Sequence, residues 1–142
     1  MLETISLVGL VVVAALIFLF FRTRRHDQIA AMIEKRKGSS RIVSKADYAT
    51  GVERMPVALA LTADAVFYEN PDLEASLELP RIDEVEYDDE LTTGKSIEQG
   101  SRVLRIRSHG TPFEFVISAA DATRWQQALP PRQQGQPAAR VG

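Results

Sequence analysis

The chain has 142 residues and a mass of 15.8 kDa; it is 45% hydrophobic and 25% charged, with a net charge of −2. That allows one ordinary domain. It contains no cysteine, which excludes a disulfide framework, a thiolate nucleophile, a Cys-ligated zinc and a c-type haem.

Ile5 to Phe21 reads ISLVGLVVVAALIFLFF, 17 residues without a charge and with Ser6 as the one polar side chain. As a helix it covers about 25 Å, and the stems of Arg22 and Arg24 extend that length. A core helix of a small domain needs a polar face, and a strand rarely passes about ten residues. A signal peptide has basic residues before its apolar run and a small-residue cleavage site after it. Here Glu3 precedes the run, and Arg22, Arg24, Arg25 and His26 follow it. Residues 1–22 are therefore expected to be one uncleaved transmembrane helix in the cell membrane. The positive-inside rule puts the N-terminus outside and the soluble part in the cytoplasm.

Residues 23–39 form a basic juxtamembrane helix or linker. From Arg22 to Lys45 there are eight Lys/Arg against Asp27 and Glu34, a balance of +6. Ile29, Ala30, Met32 and Ile33 are spaced for one face of a short helix, which Gly38-Ser39-Ser40 stops. Two readings stand side by side. The neck is a solvated continuation of the membrane helix, or it attracts anionic headgroups through Arg22, Arg24, Arg25, Lys35, Arg36 and Lys37.

Residues 40–130 form the folded domain. Residues 55–121 hold fourteen Asp/Glu against five Lys/Arg, a balance of −9 that speaks against nucleic acid. Hydrophobic residues alternate with period two. Val57, Leu59 and Leu61 make one strand, Ala65 to Tyr68 a second, and Ala75, Leu77 and Leu79 a third that Pro80 ends or bends. Ile82, Val85 and Tyr87 give a shorter strand. After a polar loop from Asp88 to Gly100, Leu104 and Ile106 alternate within Arg102–Arg107. A hairpin at Ser108-His109-Gly110-Thr111 leads back through Phe113, Phe115 and Ile117. The short turns make neighbouring strands antiparallel. Ser118 then N-caps a helix with Asp121 as the acid of its capping box, and Ala122, Trp125 and Leu129 form its apolar stripe before Pro130-Pro131. Trp125 reads as a core plug in preference to a ligand-stacking ring.

The succession LALTADAVFY, LELPRIDEVEY, VLRIRSHGTPFEFVI and a closing helix with Trp125 resembles the pleckstrin-homology-like superfold, closest to bacterial PH-like and GRAM-like domains. The resemblance covers roughly residues 40–130 and rests mostly on hydrophobic patterning. It implies a mainly β fold: a seven-stranded, partly open antiparallel barrel capped by the C-terminal helix. One early strand is then expected at Arg41–Ser44, with 47–53 as a loop. Phosphoinositide-binding members carry a basic cluster in the first hairpin loop. Taken as Thr62–Ala65, that loop here holds Asp64 and neither Lys nor Arg.

No constellation points to catalysis. Gly94-Lys95-Ser96 lacks the upstream glycine of a phosphate loop, because position 89 is Asp. The acidic run Glu84, Glu86, Asp88, Asp89 and Glu90 offers carboxylates to a cation but reads first as a solvated face. His109 is alone in its turn, and Ser108 gains nothing by adjacency. The expectation is a protein that is no enzyme, has no cofactor, metal or small-molecule substrate, and ends in a disordered tail at 131–142. Its function reads as a membrane-tethered binding or scaffold module that presents an acidic domain to a protein partner. The alternative is an anionic-lipid or phosphoinositide sensor using the basic neck and Arg102, Arg105 and Arg107.

Overall fold

The computed structural model describes residues 2–51 and 53–133. Helix α1 (Leu2–Lys37) precedes seven strands: β1 (Ile42–Thr50), β2 (Glu53–Leu61), β3 (Ala65–Asn70), β4 (Leu73–Glu78), β5 (Ile82–Asp88), β6 (Ser101–Ser108) and β7 (Thr111–Ser118). A 3-10 turn at Leu79–Arg81 joins β4 to β5, and helix α2 (Ala119–Ala128) follows β7.

From Ser6 to Phe21 α1 carries no charge, and its side chains are exposed. The large side chains from Leu7 to Phe21 are 51–71% exposed. An apolar solvent accommodates such a cylinder, and it is long and apolar enough to cross a membrane once. The backbone does not break where the charges begin. It continues helically through the neck to Lys37, and Ser39 N–H closes the end on the Arg36 carbonyl at 3.1 Å. The boundary expected near residue 22 is thus a change of surroundings within one helix.

All strands pair antiparallel in the order β4-β3-β2-β1-β7-β6-β5. β1 differs most from expectation: it runs on through residues 47–50, which were expected as loop. Ile42, Ser44, Ala46 and Tyr48 keep alternating inward, and the outer half pairs on two sides, Asp47 with Pro56 of β2 and Val116 of β7. Pro56 is tolerated because it lies beyond the last β2–β3 pair, Ala58–Glu69, where β2 has one neighbour. The first hairpin is therefore β1–β2, turning at Gly51 with φ +58°, a left-handed conformation that favours glycine. Thr62–Ala65 is the second hairpin.

The connection from β4 to β5 forces the sheet to bend. These are its two edges, about 29 Å apart if seven strands lay flat, yet the 3-10 turn between them spans roughly 8 Å. The sheet curls until residues of all seven strands share one core, but its edge strands do not pair with each other and it does not close into a barrel. Tyr68 of β3 and Phe115 of β7 are three places apart in the strand order, and their rings lie 5.2 Å apart.

α2 fills the mouth that the bend leaves. Ser118 is extended and accepts a hydrogen bond from Asp121 N–H at 3.1 Å, which starts the helix. Trp125 is fully buried, and its indole N–H donates to Ser44 Oγ at 3.0 Å, so the ring packs without stranding its polar atom. The Tyr87 hydroxyl donates to the Leu129 carbonyl at 2.8 Å and ties the helix end to β5. The chain then turns back onto the sheet: Val85 and Arg132 exchange two backbone hydrogen bonds of 2.8 Å, and the Arg132 guanidinium donates to the Ile82 carbonyl. Residue 132, expected in a disordered tail, instead pairs with the edge of β5. Residues 134–142 of that tail lie outside the described residues.

Trp125→Ala in the full chain should lower its unfolding free energy by roughly 3–5 kcal/mol, measured by denaturant titration in detergent. A loss below about 1 kcal/mol would mean the ring is not what fills the bend.

Candidate functional site at the helix and sheet junction

The last turns of α1 lie on the outer face of β1, β2 and β3. Ile29 is 1% exposed there, so an apolar side chain holds the helix down. Arg36 adds direction: its Nε and Nη2 donate to the two carboxylate oxygens of Glu69 at 2.8 and 3.1 Å. Its guanidinium also lies over the Phe67 ring, 4.4 Å from the centroid. A paired fork stacked on an aromatic ring is the geometry in which arginine contributes most. The hydrogen bonds from Arg36 hold the Glu69 carboxyl below its usual range, although burial opposes them.

The six neck cations expected as lipid contacts separate into two groups. Arg22, Arg24 and Arg25 follow the apolar run directly. Lys35, Arg36 and Lys37 lie about 20 Å further along the axis, more than two screening lengths at physiological salt. In this second group Arg36 is committed to Glu69, Lys37 pairs with Glu34 at 2.6 Å, and Lys35 lines a cleft with Glu69, Asp72 and Glu74. In the first group Arg25 reaches Asp72 at 3.8 Å with both side chains well exposed, a pair of little energetic weight.

Arg22 and Arg25 open onto a second cleft, of about 630 Å³, where α1 parts from the sheet. Phe18 and Phe21 form its end on the apolar side. His26 stands opposite Lys45 of β1, whose Nζ lies 2.9 Å from His26 Nδ1. An ammonium has only protons to give, so Nδ1 is the acceptor and the imidazole hydrogen is on Nε2. Asp47, Arg54 and Pro56 complete the sheet side.

The other expected cations, Arg102, Arg105 and Arg107, face carboxylates. Strand register places Glu86, Arg105 and Glu114 in one row across β5, β6 and β7. Arg105 contacts Glu86, Asp88 at 3.2 Å, Glu114 at 3.1 Å and the Glu90 carbonyl at 3.0 Å. Arg107 meets Glu84 at 3.2 Å, and Arg102 meets Asp89 at 3.1 Å. Asp88 is held below its usual range, first by the Asp89 N–H and then by Arg105. The acidic run is thus spent largely on arginines, and no metal-binding group of three occurs among the described residues. The 89–100 loop covers this row and packs Leu91 and Ile97 over Val103 and Val116.

His109 occupies the β6–β7 turn with φ +51° beside Gly110 at +77°, the pair of left-handed residues a two-residue hairpin uses. Ser118, Asp121, Trp125 and Leu129 all belong to α2 and its caps. Sequence reading missed His26 and Lys45 as a pair and Phe18 and Phe21 as pocket walls. The signal available was the helical spacing 18, 21/22, 25/26 and 29, which marks one face of α1.

The chain matches no protein-family model, no curated protein and no solved structure.

Two outcomes follow from these contacts. Arg105→Met should destabilise the full chain by about 3–5 kcal/mol, because it strands Glu114, which is 11% exposed, without its cation; a loss under about 1 kcal/mol would class the row as a surface pair. Glu69 has a lowered folded pKa, so its contribution is complete above the unfolded carboxylate value of 4.5 and is lost as pH falls through the folded one. Stability should therefore drop on acidification below about pH 4.5, and Arg36→Ala should flatten part of that slope in thermal melts across the range.

Proposed function

We propose that this chain is a membrane-anchored, PH-like binding module whose anchor fixes the orientation of its domain. The observation that carries the reading is the continuity of α1: the helix that leaves the apolar run is the one that Ile29 and Arg36 fasten to the sheet. A flexible tether would only raise the local concentration of a domain. A rigid one also decides which face it turns outward. The seven-strand order, the bend and the single closing helix with a buried Trp125 support the PH-like assignment.

In this reading residues 1–22 span the cell membrane once, the N-terminus is outside, and the domain is cytoplasmic. The partner is a protein with a basic surface, reached through carboxylates on the strands that α1 leaves uncovered. Just past the end of β5, exposed Glu90 is the most available carboxylate, and Asp89 beside it keeps an 82% exposed side chain while pairing with Arg102. Edge strand β4 adds exposed Glu74 and Glu78. The module acts by holding a partner at the membrane and performs no chemistry.

Two measurements test this. A reporter active only in the cytoplasm, fused after Gly142, should be active; activity solely on the outer side reverses the topology. Crosslinking in intact membranes followed by purification should recover a partner that the double variant Asp89→Lys, Glu90→Lys no longer captures. Equal capture by that variant, with its thermal stability unchanged, would rule out the acidic face.

A further inference from the structure

The cleft between α1 and the β1–β2 strands has a polarity that no protein partner explains. At one end are Phe18 and Phe21, 66% and 58% exposed, within the stretch of α1 suited to lipid. At the other are Arg22, Arg25, His26 and Lys45. Along the helix the midpoint of the two rings and that of Arg22, Arg25 and His26 are roughly 7 Å apart, comparable to the about 5–8 Å of headgroup region in one bilayer leaflet. We propose that this cleft seats one anionic glycerophospholipid of the surrounding membrane, its phosphate among Arg22, Arg25, His26 and Lys45 and its chains along Phe18 and Phe21.

The chemistry favours this occupant on three counts. Arg22, Arg25 and Lys45 are cations, and His26 turns a hydrogen on Nε2 away from the proton it receives at Nδ1, so all four present donors. Neither long-range attraction nor a neck cluster alone would select Lys45, which belongs to β1 and joins the site only because α1 docks on the sheet. Charge balance points the same way: Arg54 is bonded to Glu98, and Arg22, Arg25 and Lys45 outnumber the one remaining carboxylate, Asp47, so the cleft keeps an excess of positive charge that an anionic headgroup neutralises and a zwitterionic one does not. A soluble phosphate would find the donors but leave Phe18 and Phe21 bare. The lipid would thereby brace the domain against the leaflet, nearer the membrane than the Arg36–Glu69 contact and along the same face of α1 that carries it.

This inference rests on the anchoring proposed above, and the test separates the two. The full chain is first floated with pure phosphatidylcholine liposomes. It should float, as should every variant; failure there overturns the anchor itself. The chain is then purified from bilayer discs of equal phosphatidylglycerol and phosphatidylcholine, and retained lipid is counted by native mass spectrometry. Phosphatidylglycerol should exceed phosphatidylcholine by about tenfold or more. Lys45→Gln should lower that ratio about fivefold, the worth of one cation near an anionic surface, and Arg22→Gln with Lys45→Gln should abolish the preference. Lys95→Gln, an exposed cation on the 89–100 loop, should leave it unchanged. Thermal melts in detergent show that each variant stays folded. Equal retention of the two lipids, or a ratio indifferent to Lys45, overturns the proposal. So does displacement of the lipid by millimolar glycerol 3-phosphate or inorganic phosphate, which would make the ligand a soluble phosphate.

Discussion

One helix has to satisfy two surroundings, and this constraint organises the molecule. The apolar part of α1 stays exposed, with Phe18 and Phe21 reaching only the rim of the sheet, while its last turns are clamped on a β-sheet through Ile29 and Arg36. Because the helix is unbroken, there is no joint at which the domain could swivel freely between the two. A kink would need a proline, a glycine–serine pair or an inserted side chain, and residues 10–37 contain neither proline nor glycine. Position and orientation of the domain are consequently tied to the same backbone that carries the span-length apolar run.

The second organising fact is the bend. A seven-stranded sheet whose edges are joined by three residues cannot stay flat, and the curled sheet leaves an opening that only a large side chain fills. Trp125 fills it, donates its indole hydrogen to Ser44, and thereby connects α2 to β1. β1 is shared by both halves of the sheet and also carries Lys45 beside α1, so core, sheet and helix junction meet on one strand. The polar content of the outer face follows from register: with Glu86 and Glu114 opposite Arg105, each strand supplies what its neighbour needs.

Much of this was legible in the chain. Alternation located β3, β4, β6 and β7, and Ser118 with Asp121 located α2, because period and caps are local signals. β1 was read short because Asp47, Thr50 and Gly51 look like loop composition; only pairing on both sides makes 47–50 a strand. That Arg105 and Arg107 would pair with carboxylates across the sheet was the default expectation for such a stripe, but which carboxylates they meet was not legible, because a sequence does not display cross-strand neighbours. The neck posed the hardest case. Ile29, Met32 and Ile33 announce an apolar stripe, but nothing local says whether lipid, solvent or the chain's own sheet covers it. Arg36 and Glu69 are 33 residues apart, and their meeting depends on the whole sheet being built first.

The return of Arg132 to β5 has a consequence for crowding. Copies held by the proposed anchor would share one orientation and diffuse in two dimensions, so an open strand edge would meet its like far more often than in a dilute solution. The backbone bonds between Arg132 and Val85 occupy the middle of one edge, and Glu74 and Glu78 put like charges along the other. With both edges blunted in this way, an open sheet resists chaining into ribbons, as it would need to on the surface to which the proposed anchor would hold it.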